Sequence, residues 1–349
     1  MGIKNFYKFV KQMSPRSIES KHISYYSNKT LGIDANLLLY RFLIKNINDN
    51  FNKNIFEDNY ESFYKQLLDV ITYSYKYNIK LIFIFDGKSP DIKKETILER
   101  QSRRHKAQDK LKKINQELEL ELKQDPEIQR KLSLNAVHLN GKIIQSVKDI
   151  LKASGIQYIN APCEADSQCA RLFKNNIIDG IVSSDFDILT FGGGKLIMNM
   201  FNNINNNTIL EINLDKLLKN LKINNETFTD LCILMGSDYS DKPKYQYEFL
   251  FDKLKYYKTF EKFNESINTS MGYNLKLPKN LDINKIRNYF NECIGNDYEK
   301  NSFEFGNIDI SQLNVILEKV ITKNTNKIFN YINSIINFSN YWKIKNIMK

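Results

Sequence analysis

The sequence predicts an α/β protein with a mostly parallel central sheet flanked by helices, a projecting helical arch and a helical C-terminal third. Three observations carry that prediction. Short apolar runs close on an aspartate or glycine and alternate with stretches of helical spacing, the pattern of buried parallel strands joined by helices. A charge-dense stretch with almost no glycine interrupts the alternation. Beyond Asp241 the composition turns to Lys, Asn, Tyr and Phe, again at helical spacing.

In chain order, residues 30–33 run into Asp34, and Lys80–Phe85 runs into Asp86 and Gly87. Between these strands Phe63, Leu67, Val70 and Ile71 share one helical face. Over residues 93–134 only Leu111, Ile114, Leu118 and Leu122 form an apolar stripe, too narrow for a core helix, so this segment projects or packs lightly. The alternation then resumes, with helix over 142–154, strand over 157–160, helix over 163–174 and strand over 178–183, followed directly by Asp185 and Asp187. Residues 227–234 are apolar at helical spacing and lead into Gly236, Ser237 and Asp238, while Tyr247, Leu250, Leu254 and Tyr257 continue the helical pattern.

Composition narrows the class. A chain that is 42% hydrophobic and 12% aromatic can bury a core, which excludes wholesale disorder. No run approaches the ~18 apolar residues needed to span a bilayer, so no membrane partner is expected. Lys4, Lys8 and Lys11 interrupt the apolar core that a signal peptide would need, and Phe6 stands where a myristoylation motif has Ser or Thr. The expectation is an intracellular protein, nuclear or cytoplasmic, and not secreted. Cys163, Cys169, Cys232 and Cys293 lack Cys-x-x-Cys spacing, and His22, His105 and His138 are far apart, so neither a zinc site nor a disulfide framework is indicated. With 51 Lys plus Arg against 40 Asp plus Glu, the formal charge of +11 favours a polyanionic partner, although the asparagine-rich run at 202–207 shows a coding bias that also adds lysine.

The chemistry sits in the acids. In a parallel α/β sheet, ligands bind at the carboxyl ends of the strands. Asp34, Asp86, Asp185 and Asp187 fall at such ends, Glu164 and Asp166 lie in the first turn of a helix after another strand, and Asp238 on a glycine-containing turn can join them. Any one of these has a bland reading; a helix's first turn favours acids through its dipole alone. Together they repel by kcal/mol at short range and require cations. Oxygen ligands without histidine or thiolate point to Mg²⁺, with Mn²⁺ as a substitute, and so many carboxylates point to two ions, the arrangement that hydrolyses phosphodiesters. Lys93, Ile97, Arg100 and Arg104 follow at i, i+4, i+7 and i+11 on one predicted helical face, and Arg103, Lys106, Lys110 and Lys113 extend a basic ridge. A basic helix beginning beside an acidic metal cluster can hold a phosphate between them.

Six blocks resemble the flap endonuclease family of structure-specific 5′-nucleases. They are Met1-Gly2-Ile3-Lys4-Asn5-Phe6, Gly32-Ile33-Asp34-Ala35-Asn36, Phe85-Asp86-Gly87-Lys88-Ser89-Pro90, Ala161-Pro162-Cys163-Glu164-Ala165-Asp166, Ser184-Asp185-Phe186-Asp187-Ile188-Leu189-Thr190-Phe191-Gly192, and Asp230-Leu231-Cys232-Ile233-Leu234-Met235-Gly236-Ser237-Asp238-Tyr239. Their order and spacing match over roughly the first 240 residues. The resemblance implies that the seven acids hold two metals, that Lys93 and Arg100 contact the scissile phosphate, that Tyr40 stacks on a terminal base, and that Gly2 lies near the active site. It implies a nuclease domain formed by residues 1–87 and 135–240, an arch over 88–134 for a single-stranded 5′ end, and a divergent duplex-binding region and tail over 241–349. The resemblance further implies, as substrate, DNA with a 5′ flap, gap or free 5′ end, in replication, repair or recombination.

Two departures stand out. The family's glycine-rich, potassium-binding hairpin is replaced after Asp241 by Lys242-Pro243-Lys244-Tyr245-Gln246-Tyr247, which shifts duplex anchoring towards Lys242 and Lys244. No sliding-clamp motif is recognised over 337–349, and a monomer is expected. Two other readings compete: the 5′ to 3′ exoribonuclease family, which shares a Met-Gly-Ile start and an Asp-Gly block, and a catalytically silent nucleic-acid scaffold.

Overall fold

The computed structural model describes residues 2–52, 59–119, 126–201, 207–240, 246–269, 282–299, 302–321 and 325–347. Its strands are β1 (Ile18–His22), β2 (Thr30–Asp34), β3 (Lys80–Phe85), β4 (Gln157–Asn160), β5 (Gly180–Val182), β6 (Lys195–Met198) and β7 (Thr208–Asn213). They form one sheet in the order β1-β7-β6-β5-β2-β3-β4. The α/β class predicted from the sequence is thus present. The chain divides into two compact units, one of Met1–Asp34, Ile84–Lys93 and Asn160–Ser302, the other of Ala35–Phe83, Lys94–Ile159 and Phe303–Lys349.

In the first unit β2, β5 and β6 run parallel, with Leu31 opposite Gly180, Ile33 opposite Val182 and Ile181 opposite Leu196. Their apolar side chains are almost wholly buried, as expected of strands covered on both faces. The sheet then turns antiparallel, β7 against β6 and β1 against β7. This edge had no clear sequence signal, because β1 reads Ile-Glu-Ser-Lys-His and its strand character comes from pairing. A polar network holds it: Tyr26 donates to buried Glu211, and Lys21 pairs with Glu211 at 2.8 Å and Glu19 at 3.1 Å. The strand expected over 178–183 is trimmed to Gly180–Val182.

The same unit carries the helices that position the acids. The helix Asn225–Met235 is buried from Thr227 onward and starts from Asn224, whose side chain caps the Thr227 N–H. It ends at Gly236, whose φ of +91° is a conformation that L side chains rarely adopt. Ser237 and Asp238 follow that turn.

In the second unit the helices Ala35–Asn52 and Glu61–Tyr77 pack together, and Tyr331 in the helix Thr325–Ile347 donates to Asp69. Within the charged stretch expected over 93–134, the described residues form two helices, Lys94–Glu119 and Pro126–Ala136. They pack on each other, and the stripe residue Ile114 is buried together with Ala107. Among the described residues no helix is long and apolar enough to cross a membrane.

Candidate active site

Strand ends and helix starts bring the seven acids into one electrostatic neighbourhood of the first unit. Asp34 closes β2, and Asp86 follows β3 directly. Glu164 is the N-cap of the helix Ala165–Lys174, and Asp166 stands in its first turn. Asp185 and Asp187 follow β5, Asp187 opening the short helix Asp187–Thr190. Asp34, Glu164, Asp166, Asp185 and Asp187 are buried, and Asp238 is nearly so, its side chain 13% exposed, whereas Asp86 as a residue is exposed.

Backbone geometry explains the motif glycines. The Gly87 N–H donates to the Cys163 carbonyl at 2.6 Å, and the Ala161 N–H to the Phe85 carbonyl at 2.8 Å. A side chain at Gly87 would collide with the Ala161 carbonyl oxygen. This close approach lets Asp86 Oδ1 accept the Ala165 N–H at 2.8 Å, tying the end of β3 to the helix that carries Glu164 and Asp166. Gly2, with φ +76°, lies so near the site that a Cβ there would strike Asp185 Oδ1 and crowd Asp187 Oδ1. Gly2 therefore stands beside these two acids.

Hydrogen bonds aim several of the carboxylates. Ser183 Oγ donates to Asp34 Oδ2 at 3.3 Å and accepts the Asp185 N–H at 3.0 Å, while Asp185 Oδ1 accepts the Asp187 N–H at 3.1 Å. Lys93 Nζ lies 2.5 Å from Glu164 Oε1 and 3.5 Å from Asp238 Oδ2, over the Tyr239 ring at 5.1 Å. The Tyr239 and Tyr289 hydroxyls both donate to Glu164 Oε2, at 2.6 and 2.5 Å.

Burial, reinforced by the charges of Asp185 and Asp34, pushes the Asp166 carboxyl well above its ordinary range. Asp187 is displaced the same way by burial and by Asp185 and Asp238. Asp185 rises with burial, partly offset by the Asp187 N–H. Burial also disfavours the Lys93 ammonium, yet Glu164 and Asp238 outweigh it and hold the amine protonated far above its usual value. Both phenols rise through burial and the Glu164 charge, so they act as donors.

Whether a divalent cation suits this site is decided by its donors. The donor set is all oxygen, the preference of a hard ion. Asp166 Oδ1 and Asp187 Oδ1 are buried with no hydrogen-bond partner, a costly state for a carboxylate unless a cation faces it. Among the described residues no three acidic, histidine or cysteine side chains are arranged to hold a metal ion. Chemically the residues fit a hard divalent cation.

Other expected contacts lie elsewhere. The helix starts at Lys94, and Lys93 occupies the preceding 3-10 turn, its N–H bonded to the Pro90 carbonyl at 3.1 Å. Lys93 thus precedes the helix that carries Arg100 and Arg104 rather than lying within it as the spacing suggested. Arg100, Arg103, Arg104 and Tyr40 belong to the second unit, where Arg104 reaches the Tyr40 hydroxyl at 3.4 Å and Arg103 is exposed. Lys242 and Lys244 lie outside the described residues. Sequence reasoning missed Tyr239, Tyr289 and Ser183 as site residues. Tyr239 follows Asp238 directly and Ser183 lies two residues before Asp185, but Tyr289 is 125 residues from Glu164 and carried no local signal.

Residues 1–107 match the XPG N-terminal domain and residues 155–238 the XPG I-region. Flap endonuclease 1 of Theileria parva is 30% identical over 346 residues, covering 97% of this chain and 66% of that protein. Flap endonuclease 1 of Drosophila mojavensis is 30% identical over 307 residues, covering 84% of this chain and 74% of that protein. The chain belongs to the flap endonuclease family. It spans 58–66% of the length of its curated Theileria, Cryptosporidium and Plasmodium knowlesi relatives. Its fold is similar to the catalytic core of Rad2 in complex with DNA substrate, at a TM-score of 0.73 and 21% identity, covering 96% of this chain and all of that one. The Holliday junction-resolving enzyme GEN1 in complex with product DNA, Mg²⁺ and Mn²⁺ ions matches at a TM-score of 0.66 and 13% identity, covering 96% of this chain and 77% of that one.

Proposed function

We propose that this chain is a divalent-metal-dependent, structure-specific 5′-nuclease that hydrolyses DNA phosphodiester bonds at 5′ flaps, gaps or free 5′ ends. The observation that carries the reading is the pair of buried, unpartnered carboxylate oxygens, on Asp166 and Asp187, inside an acidic cluster of a flap endonuclease family member. Asp34, Asp86, Glu164, Asp166, Asp185, Asp187 and Asp238 would hold two ions, Mg²⁺ or Mn²⁺. Bound there, the ions supply Lewis-acid stabilisation of the charge that develops at the phosphoryl group.

The chain's own residues supply the remaining functions. Lys93, already paired with Glu164 and Asp238, is a cation at the cluster that can turn to a phosphate, and the planar guanidinium of Arg100 is the second group we assign to phosphate contact. Arg103 and Arg104 extend the phosphate contacts along the helix Lys94–Glu119, and Tyr40 offers a ring for base stacking. In this reading residues 88–134 surround a single-stranded 5′ end, residues 1–87 and 135–240 form the nuclease domain, and residues 241–349, with Lys242 and Lys244, engage duplex. Gly2 keeps residue 2 small enough for Asp185 and Asp187 to sit beside it.

A panel of 5′-labelled flap, gapped, blunt and RNA substrates in Mg²⁺ tests this proposal. Cleavage near the single-strand to duplex junction of the flap substrate, well above cleavage of RNA, is the expected outcome. Preferential degradation of RNA would assign the chain to exoribonuclease chemistry instead, and inertness on the whole panel would leave only a nucleic-acid scaffold.

A further inference from the structure

Glu164 receives donors on both oxygens, and their origins differ. Lys93 faces Oε1, while the Tyr239 and Tyr289 phenols converge on Oε2. A carboxylate oxygen accepts along about two lone-pair directions, so two phenols occupy Oε2 and leave Oε1 as the oxygen that can turn to a cation. Tyr239 comes from the turn that carries Asp238. Tyr289 comes from the helix Ile283–Glu292, outside the XPG N-terminal and I-region segments.

That helix is firmly held. Arg287 grips the fully buried Asp230 through two hydrogen bonds of 2.5 and 2.6 Å and reaches Glu261 at 2.6 Å, which fastens it to the helix Asn225–Met235. The Tyr289 ring packs against Phe191 with centroids 5.6 Å apart and against Tyr239 at 5.1 Å. Its hydroxyl also lies 3.8 Å from Cys163 Sγ, next to Glu164 in sequence. A phenol positioned by packing on this scale donates in one direction, towards Glu164.

We infer that Tyr289 is a positioning residue for metal binding: its phenol turns the Glu164 carboxylate so that Oε1 is presented to a divalent cation, making the helix Ile283–Glu292 part of the site's support. The inference rests on the reading of the acidic cluster as a divalent-cation site. Outer hydrogen-bond partners of metal ligands commonly contribute about 10- to 100-fold in affinity. Tyr289→Phe keeps the ring and removes only the donor.

The test is calorimetric titration of Mn²⁺ into the full chain as wild type, Tyr289→Phe, Glu164→Gln and the double variant, with melting temperature recorded for each. Tyr289→Phe should weaken Mn²⁺ binding about tenfold or more with the melting temperature little changed, and should cause no further loss in the Glu164→Gln background, because the two changes share one interaction. Equal affinity for wild type and Tyr289→Phe, or an undiminished effect in the Glu164→Gln background, would overturn the inference while leaving the metal site standing. A wild-type chain that binds no Mn²⁺ would remove both. A second measurement needs no change at position 289: in Tyr239→Phe, Mn²⁺ should still perturb tyrosine ultraviolet absorption, and adding Glu164→Gln should abolish the perturbation. An unperturbed spectrum would also overturn the role given to Tyr289.

Discussion

Replacing Asp185 by Asn is expected to remove nearly all turnover while leaving DNA binding intact or tighter. Asp185 lies where Gly2, Ser183 and the Asp187 backbone converge, so its carboxylate is aimed by its surroundings and an amide of the same shape would be aimed likewise. The substitution deletes one anionic ligand. If that ligand supports ~4 kcal/mol of charge stabilisation in the transition state, the rate falls about 10³-fold. It also removes a negative charge that repels phosphate, which is why affinity should hold or rise. Single-turnover cleavage alongside equilibrium binding in Ca²⁺ separates the two effects. A wild-type rate would reduce Asp185 to a strand-end residue.

Arg100→Ala carries the second large effect. Arg100 is half-buried on the helix Lys94–Glu119. A guanidinium offers several donors in a rigid fork that matches phosphate, and if it engages mainly as charge develops, its loss should lower kcat by about 10² to 10³ with little change in affinity. A matched loss of affinity with chemistry preserved would place Arg100 on a general basic surface. Comparing kcat with Kd on a single flap substrate decides between them.

Much of this architecture was legible because its signals are local. Apolar runs ending in Asp34 and Asp86 announced buried strands, and each acid at a strand end or helix start could be placed from its neighbours in sequence. What escaped depends on contacts between distant segments. The strand β1 is mostly polar and exists through its pairing with β7, so neither composition nor alternation marked it. Lys93 fits a helical spacing with Arg100, yet the chain makes a 3-10 turn first and sends its amine to Glu164 and Asp238. Tyr289 lies in a stretch whose pattern announces only a helix, and its role depends on the Arg287 to Asp230 anchor formed across 57 residues. A pattern of residue types can identify the acids of such a site. The partners that orient them are set by tertiary packing and carry no periodicity.

We propose that these gathered carboxylates work by holding divalent metal. The most direct measurement is cleavage of a 5′-labelled flap substrate in Mg²⁺, in Mn²⁺, in Ca²⁺ and in excess chelator. Turnover is expected with Mg²⁺ or Mn²⁺, binding without turnover in Ca²⁺, and no cleavage in chelator, with activity restored when Mg²⁺ is returned. Undiminished cleavage in chelator would contradict it.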